Sequence, residues 1–264
     1  MDTYYSGEHS IIFGSKHSWN DWGLVPSERP SVALPSVNTY TIDIPGANGQ
    51  LDLSEVLLGF PTYKNRTGTW KFNIAHDQTN YTWDRLYEAM ANYLHGRKRQ
   101  CILTDDPAYF YDGRYTVEQI SSGKNFSTIS VKYTLDPFKW MTWTTCGDWL
   151  WDPFDFIYGE ITKSDFANLP VVANDQNFKV WTQSQVGMAP VTPTITVNSS
   201  DGTSGMTLLI DNVGTGKGVK TFELQNGVNV NPQIMISCPD ADSTTRIVVY
   251  GEGTISFDFR PGRL

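Results

Sequence analysis

The sequence predicts a mainly β protein of two domains: an N-terminal β-sandwich with one packed helix and a long β-hairpin, then a C-terminal β-sandwich. Apolar and polar residues alternate along many short stretches, which is the period of a half-buried strand. Helical spacing of apolar residues is sustained in one stretch, residues 81–95. After residue 170, Gly, Asn, Asp and Ser turns separate short strands at nearly regular intervals, as in a sandwich.

Two strands are predicted on either side of a turn at residues 45–49. The run Pro-Gly-Ala-Asn-Gly at these positions is typical of a turn. Along each flanking strand, a period of two places the apolar residues on one face of a sheet. The two apolar sets are Tyr40, Ile42 and Ile44, and Trp70, Phe72 and Ile74.

One helix is predicted over residues 81–95. Asp84 in the first turn suits the positive end of the helix dipole, and Gly96 is a residue that ends helices. Aromatic residues on a helical stripe belong to a core far more often than to a binding site, so we expect the helix to pack on the sheet. The apolar stripe consists of Trp83, Leu86, Tyr87, Met90 and Leu94.

A long hairpin is predicted from residues 115–120 and 127–135, joined by a polar turn. Ile129, Val131, Tyr133 and Leu135 alternate with polar residues along its second strand. Long hairpins with polar outer faces are often sheet edges that need a partner strand. We therefore expect this hairpin to be available for pairing between copies of the chain.

Domain boundaries are placed around the run Asp-Pro-Phe-Lys-Trp at residues 136–140. The predicted domains are residues 1–137 and residues 165–264, joined by an aromatic-rich segment at residues 138–164. Four of the nine tryptophans lie in that segment within twelve positions. Aromatic faces suit sugar rings, so Trp143, Trp149 and Trp151 are candidates for sugar stacking. No recognisable polar set accompanies them, and packing between two domains is the favoured alternative.

Composition excludes several classes of protein. The net charge of −8 and the pI near 4.9 argue against a protein that grips nucleic acid. No run of 18 apolar residues is present, so no membrane span is expected. The first ten residues lack the pattern of a signal peptide, and the three cysteines lie far apart. Both observations favour cytoplasmic synthesis with reduced thiols.

The sequence predicts no catalytic, cofactor-binding or metal site, and no enzymatic activity. The four histidines show no metal-ligand spacing, and no Gly-x-Ser-x-Gly elbow occurs. The glycine-rich run at residues 214–218 lacks the spacing of a phosphate-binding loop. Pairs of acidic residues at 105–106, 152–155 and 240–242 lie beside prolines, so turn and loop roles explain them.

Residues 21–74 also contain a series of short motifs in a particular order. The motifs are Asp21-Trp22-Gly23-Leu24 with Pro26-Ser27 and Arg29-Pro30, Asp43-Ile44-Pro45-Gly46 with Gly49 and Leu51-Asp52-Leu53, and Asn65-Arg66-Thr67-Gly68 leading into Trp70-Lys71-Phe72. Together they resemble the N-terminal domain of the distal tail protein (Dit) family of long-tailed bacteriophages. Residues 136–140 and 253–264 are similar to other parts of that family, whose second domain is a galectin-like β-sandwich.

The resemblance implies a structural hub that joins the tail tube to the tail tip or baseplate. It implies a homohexameric ring formed by residues 1–137, with a central channel through which DNA passes without being bound. The implied partners are the tail tube protein, the tape-measure protein, a tail-associated lysin-type protein and receptor-binding or baseplate proteins, with no membrane. The implied location is the tail tip of the virion, after synthesis in the host cytoplasm. Candidate ring-assembly residues are Trp22, Pro26, Arg29, Trp70, Val131 and Tyr133.

Two other functions are compatible with the sequence. A carbohydrate-binding module acting in attachment to the host cell surface is the alternative, with the tryptophan segment as its candidate site. An enzyme of polysaccharide metabolism is a third hypothesis, which the missing catalytic constellation disfavours. Binding of glycans by the second domain would favour the module, whereas a sixfold ring would favour the hub.

Overall fold

The computed structural model describes residues 9–46, 48–74, 83–122, 127–147, 165–173, 177–213 and 218–264. The chain divides into two compact units. Unit 1 comprises Met1–Val37 and Tyr63–Lys139, and unit 2 comprises Asn38–Thr62 and Trp140–Leu264. The predicted mainly β architecture is confirmed. No helix among the described residues is long and apolar enough to span a membrane.

The elements are short strands with two helices in the described ranges. Up to residue 141 they are β1 (Ile11–Phe13), β2 (Lys16–His17), β3 (Leu24–Pro26), β4 (Thr41–Asp43), β5 (Gln50–Asp52), β6 (Arg66–Ile74), α1 (Trp83–Leu94), β7 (Lys98–Leu103), β8 (Tyr109–Ser122), β9 (Ser127–Leu135) and β10 (Lys139–Met141). The remainder are β11 (Leu169–Val171), β12 (Asn177–Thr182), α2 (Gln183–Val186), β13 (Thr194–Ser199), β14 (Met206–Val213), β15 (Lys220–Leu224), β16 (Gly227–Val230), β17 (Thr244–Tyr250), β18 (Gly253–Asp258) and β19 (Gly262–Arg263).

Unit 1 is built on one sheet with the strand order β2-β1-β7-β8-β9-β6-β3. The predicted hairpin is confirmed as β8 and β9, which pair antiparallel with Tyr115 opposite Tyr133 and a register shift between Glu118 and Ser121. The described strands pair successively from β2 to β3, and their apolar residues form one buried core with α1, in agreement with the mainly β fold predicted for this part of the chain.

The predicted helix is confirmed as α1, and its apolar face lies in the core of unit 1. Leu86, Met90 and Leu94 are buried among the apolar residues of the sheet. Tyr87, which was assigned to the same stripe, is 39% exposed, so the buried face is narrower than predicted. Gly96 follows the helix with a φ of 71°, a conformation that glycine adopts without strain.

The second sandwich lies in unit 2. One sheet has the strand order β11-β18-β13-β16 and the other β12-β17-β14-β15. The core between them is rich in aromatic residues: Phe166 and Trp181 have ring centroids 4.9 Å apart, and Trp181 and Phe257 are 5.1 Å apart. Each of these three side chains is almost fully buried, so the sandwich has a core of its own.

Candidate assembly surface

Asn38–Thr62 forms a two-stranded ribbon, a name we use for this segment below. Strands β4 and β5 pair antiparallel, with Ile42 directly opposite Leu51. At the base, the Asn38 N–H donates to the Thr62 carbonyl (2.8 Å) and the Leu53 N–H donates to the Tyr40 carbonyl (2.8 Å). The ribbon is thus closed by its own backbone hydrogen bonds.

One face of the ribbon is apolar and exposed. Tyr40, Ile42, Ile44 and Leu51 are exposed to 62%, 41%, 46% and 47%. They share a face because they lie at alternate positions or directly opposite each other. A two-stranded hairpin is marginal in water without a cover for its apolar face. Tyr40, Ile42 and Ile44 are predicted to share one face of a strand, and the structure shows that this face lies outside the core.

The other face of the ribbon is polar. The Gln50 side chain donates to Asp43 (2.9 Å), and Asp52 accepts from both the side chain and the backbone N–H of Ser54. The hydrogen bond from the Ser54 hydroxyl, aided by the one from its backbone, lowers the pKa of the Asp52 carboxyl. The polar face is therefore organised for contact with water, and the ribbon is amphipathic.

Two further exposed apolar residues follow β5. Val56 and Leu57 are exposed to 69% and 90%. They lie in a turn where the Gly59 N–H donates to the Glu55 carbonyl (2.7 Å). Exposed apolar residues that adjoin one another in this way mark protein–protein contact surfaces more often than isolated ones do.

Four of the six candidate ring-assembly residues lie inside unit 1. Trp22, Trp70, Val131 and Tyr133 are between 0% and 5% exposed. Trp70 and Tyr133 have ring centroids 4.1 Å apart, and the Trp70 indole N–H donates to the Ser31 carbonyl (3.1 Å). Their side chains pack in the core of unit 1 and are too little exposed to contact a second copy of the chain.

The other two candidates, Pro26 and Arg29, lie nearer the surface. Pro26 is half-buried at the end of β3, and Arg29 is exposed. The Arg29 guanidinium donates to Asp105 (2.8 Å), which also pairs with His9 (2.7 Å). Burial opposes ionisation of Asp105, but the hydrogen bonds from Arg29 and His9 outweigh it and lower the pKa of that carboxyl. A ring-assembly role for Pro26 and Arg29 stays a prediction.

The hairpin of β8 and β9 is not a sheet edge, contrary to the expectation from its polar outer positions. On one side β8 pairs with β7, and on the other β9 pairs with β6 from Arg66 to Asn73. The hairpin therefore occupies the middle of the sheet. Its polar outer side chains cover a sheet face, and its backbone groups are used within unit 1.

Arg66, one residue of the Asn65-Arg66-Thr67-Gly68 motif, is a buried cation. It is 3% exposed, and its guanidinium donates to the Pro137 carbonyl (2.8 Å) and the Ala33 carbonyl (3.0 Å). The guanidinium carbon lies 5.4 Å from the centre of the Tyr111 ring. Burial lowers the pKa of this group, and the two carbonyls offset part of its desolvation. Arg66 thereby links the start of β6 to two distant segments.

The tryptophan segment is described in part. Trp149 and Trp151 lie outside the described residues, and Trp143 is half-buried. Nearby, the Thr145 hydroxyl donates to the Phe257 carbonyl (2.8 Å) and accepts from the Phe259 N–H (3.1 Å). Residues 141–147 therefore pack on β18 of the second sandwich through Thr145. Sugar stacking by the three tryptophans stays a prediction.

Several titratable groups of the described residues are engaged in structural contacts. No group of three or more His, Cys, Asp or Glu side chains within these ranges could hold a metal ion. Asp106 pairs with Lys139 (2.7 Å), and Asp240 accepts from the Ser243 hydroxyl (2.7 Å). Burial raises the pKa of the Cys101 thiol to about 12, which keeps it protonated and unreactive. Asp152 and Asp155 lie outside the described residues.

Comparison with known proteins gives a likeness to a solved structure. No protein-family model matches the sequence, and no curated protein matches it. Among solved structures, the chain is similar to SPP1 Dit (gp 19.1), described as a paradigm of the hub adsorption apparatus in phages that infect Gram-positive bacteria. The match has a TM-score of 0.61 and 14% sequence identity, and it covers 95% of this chain and 98% of that one. The chain therefore has the fold of a phage Dit protein over nearly its whole length.

Proposed function

We propose that this chain is a structural hub protein of a bacteriophage tail. In this role it joins the tail tube to the tail tip or baseplate as a hexameric ring with a central channel for DNA. The observation that carries the proposal is the exposed apolar face of the ribbon, since such a face is typical of a protein–protein interface. The fold shared with SPP1 Dit supports it.

The simplest partner that could bury this apolar face is another copy of the same chain. When one surface of a copy contacts a different surface of the next copy, the assembly closes into a ring if the rotation between copies allows it. Burying one Ile or Leu side chain contributes about 1.5–3 kcal/mol, and the ribbon offers several such side chains. We propose that residues 1–137, which include the ribbon, form the ring.

The remaining partners follow from the same role. The tail tube protein, the tape-measure protein, a lysin-type tail protein and receptor-binding or baseplate proteins would contact the ring or residues 165–264. DNA passes through without being bound, since a net charge of −8 repels a polyanion on average. The role is structural rather than enzymatic, and the location is the tail tip of the virion.

Carbohydrate binding by the second sandwich is the alternative function. The outer face of the sheet containing β12 and β17 presents Phe178 and Tyr250, exposed to 55% and 40%, with the exposed Arg246 on the same face. Aromatic rings and a guanidinium are groups that contact sugars. A glycan array probed with the full chain tests this alternative, and its prediction is binding that Tyr250→Ala removes.

Electron microscopy of the purified full chain tests the hub proposal. Negative-stain images should show rings with sixfold symmetry. Monomers at every concentration tried, together with glycan binding, would favour the alternative.

A further inference from the structure

The second sandwich contains a cavity between the edge strands of its two sheets. β11 is the edge strand of one sheet, and β12 is the edge strand of the other. The cavity has a volume of about 160 Å³ and is lined by both strands and by β17 and β18 behind them. At its mouth lie Pro170, Phe178 and Lys179, which are exposed. The cavity therefore leads from the surface of unit 2 into its core.

The interior of the cavity is aliphatic. Its floor consists of core residues that are 1–5% exposed, namely Leu169, Val171, Ile247, Val249 and Ile255. Low exposure is expected at the bottom of a narrow cavity, because most of each side chain packs against the rest of the core. An apolar cavity of about 150 Å³ stays dry and can hold a molecule the size of benzene. The space is therefore suited to an aliphatic group of about six carbons.

The amide side chain that lines the cavity is already engaged. Asn177 Oδ1 accepts from the Val172 N–H (3.0 Å). Asn177 Nδ2 donates to the Val172 carbonyl (3.1 Å) and to the Val249 carbonyl (3.2 Å). The interior thus offers aliphatic contacts rather than hydrogen bonds. Because buried amide groups need hydrogen-bond partners, such an interior favours a hydrocarbon chain over the backbone of a peptide.

A lysine lies at the mouth of the cavity and points to the core side of the sheet. Lys179 is directly opposite Ile247 on β17, so the two side chains share a face. Trp181, two positions further along β12, is on the same face and is 1% exposed. Within the described ranges, Lys179 forms no ion pair. An aliphatic interior is therefore combined with an unpaired cation at the entrance.

We propose that this cavity binds a small aliphatic carboxylate. A chain of about six carbons would fill the interior and gain van der Waals contacts that the empty space lacks. The carboxylate would lie beside the Lys179 ammonium at the exposed mouth, where it keeps part of its hydration. The site is separate from the ribbon, so it adds a small-molecule ligand to the proposed structural role and is tested independently of assembly.

Titration calorimetry with the full-length chain tests the size of the interior. From butanoate to pentanoate to hexanoate, each added methylene should tighten binding about fourfold, the gain expected when a methylene leaves water. Octanoate should gain much less per methylene, because its additional carbons do not fit in the cavity. Affinity that rises by the same factor through octanoate would indicate adsorption to apolar surface and would overturn the proposal.

Substitution of the lysine tests the charge at the mouth. Lys179→Met should weaken hexanoate binding roughly two- to fivefold, as expected for an exposed ion pair, and should leave the binding of hexan-1-ol unchanged. Lys220→Met is the matched control and should not change hexanoate binding, because Lys220 lies on the core side of β15, the other edge strand of the same sheet. Inward-pointing lysines also protect sheet edges from pairing with other chains. If both variants self-associate and the wild type does not bind hexanoate, edge protection is the whole role of Lys179 and the proposal is wrong.

Filling the cavity gives a measurement that does not depend on charge. Val171→Phe should abolish hexanoate binding, with circular dichroism to confirm that the variant is folded. The smaller change Val171→Leu should remove the gain in affinity between pentanoate and hexanoate. In methyl NMR spectra of the wild type, hexanoate should shift the resonances of Ile247 and Ile255 and leave Ile129 of unit 1 unchanged. Normal binding by a folded Val171→Phe variant, or shifts confined to other methyl groups, would overturn the site.

Discussion

Ile42 lies directly opposite Leu51 on the ribbon, and both side chains are exposed. Thr41 and Asp52 face each other one position along, on the polar side of the same ribbon. Neighbouring positions of the ribbon therefore lie on opposite faces, one apolar and one polar. This separation allows the contact surface to be tested without altering the core.

Ile42→Asp should abolish the ring and leave the fold intact. A carboxylate on the apolar face must be desolvated on assembly, which costs far more than the contact gains. Light scattering should show a monomer, with an unchanged circular dichroism spectrum. Thr41→Asp places the same charge on the polar face, and this control should still assemble. If the two variants assemble to the same extent, the apolar face of the ribbon is not part of the interface.

Val131→Asp should unfold unit 1 rather than disrupt only a subunit contact. Val131 is fully buried opposite Trp70, so the carboxylate would have to be buried without a partner, at a cost of several kcal/mol. Thermal unfolding followed by circular dichroism should show a large loss of stability. Thr134→Asp, at an exposed position of the same strand, is the matched control and should cost less than about 1 kcal/mol. A folded monomeric Val131→Asp variant would contradict this assignment.

Arg66→Met should destabilise the protein by roughly 2–6 kcal/mol. The substitution leaves the Ala33 and Pro137 carbonyls without their donors, and each buried unpaired group costs about 1–3 kcal/mol. Urea denaturation measures the change. Arg29→Met removes an exposed ion pair and should cost at most about 1 kcal/mol. If the two variants are equally stable, Arg66 has no special structural role.

The cluster of Asp105, Arg29 and His9 should make the free energy of unfolding depend on pH in the acidic range. The pKa of Asp105 is lower in the folded state than in the unfolded chain, so its contribution is present above the ordinary Asp value of about 3.9. The contribution is lost as the pH falls through the lower, folded value. Asp105→Asn should therefore reduce the free energy of unfolding more at about pH 6 than at about pH 3. An equal reduction at both values would show that the charge of Asp105 is not involved.

Much of the fold could be predicted from periodicity. The stripe at Leu86, Met90 and Leu94 identified α1, and the alternation from Ile129 to Leu135 identified β9. Ile42 and Ile44 alternate just as Phe72 and Ile74 do, yet the first pair is exposed and the second is buried. Alternation shows that one face of a strand is apolar, and it does not show which molecule covers that face.

The remaining differences come from contacts between distant positions. The carbonyls that accept from Arg66 lie 33 and 71 positions away, and no local pattern indicates them. The pairing of β9 with β6 likewise depends on chain topology, which is why the hairpin was mistaken for an edge. Trp70 is a ring candidate because it lies in the series of motifs at residues 21–74, and Tyr133 because it lies in the predicted hairpin, and neither kind of evidence reports burial.

The mass and symmetry of the full-length chain in solution test the central claim most directly. Light scattering combined with negative-stain imaging should give a particle of about six times 29.7 kDa with sixfold symmetry and a central opening. The Ile42→Asp variant, measured alongside it, should give a single chain of 29.7 kDa. A wild-type chain that remains at the monomer mass at micromolar and higher concentrations would contradict the assignment as a ring-forming hub.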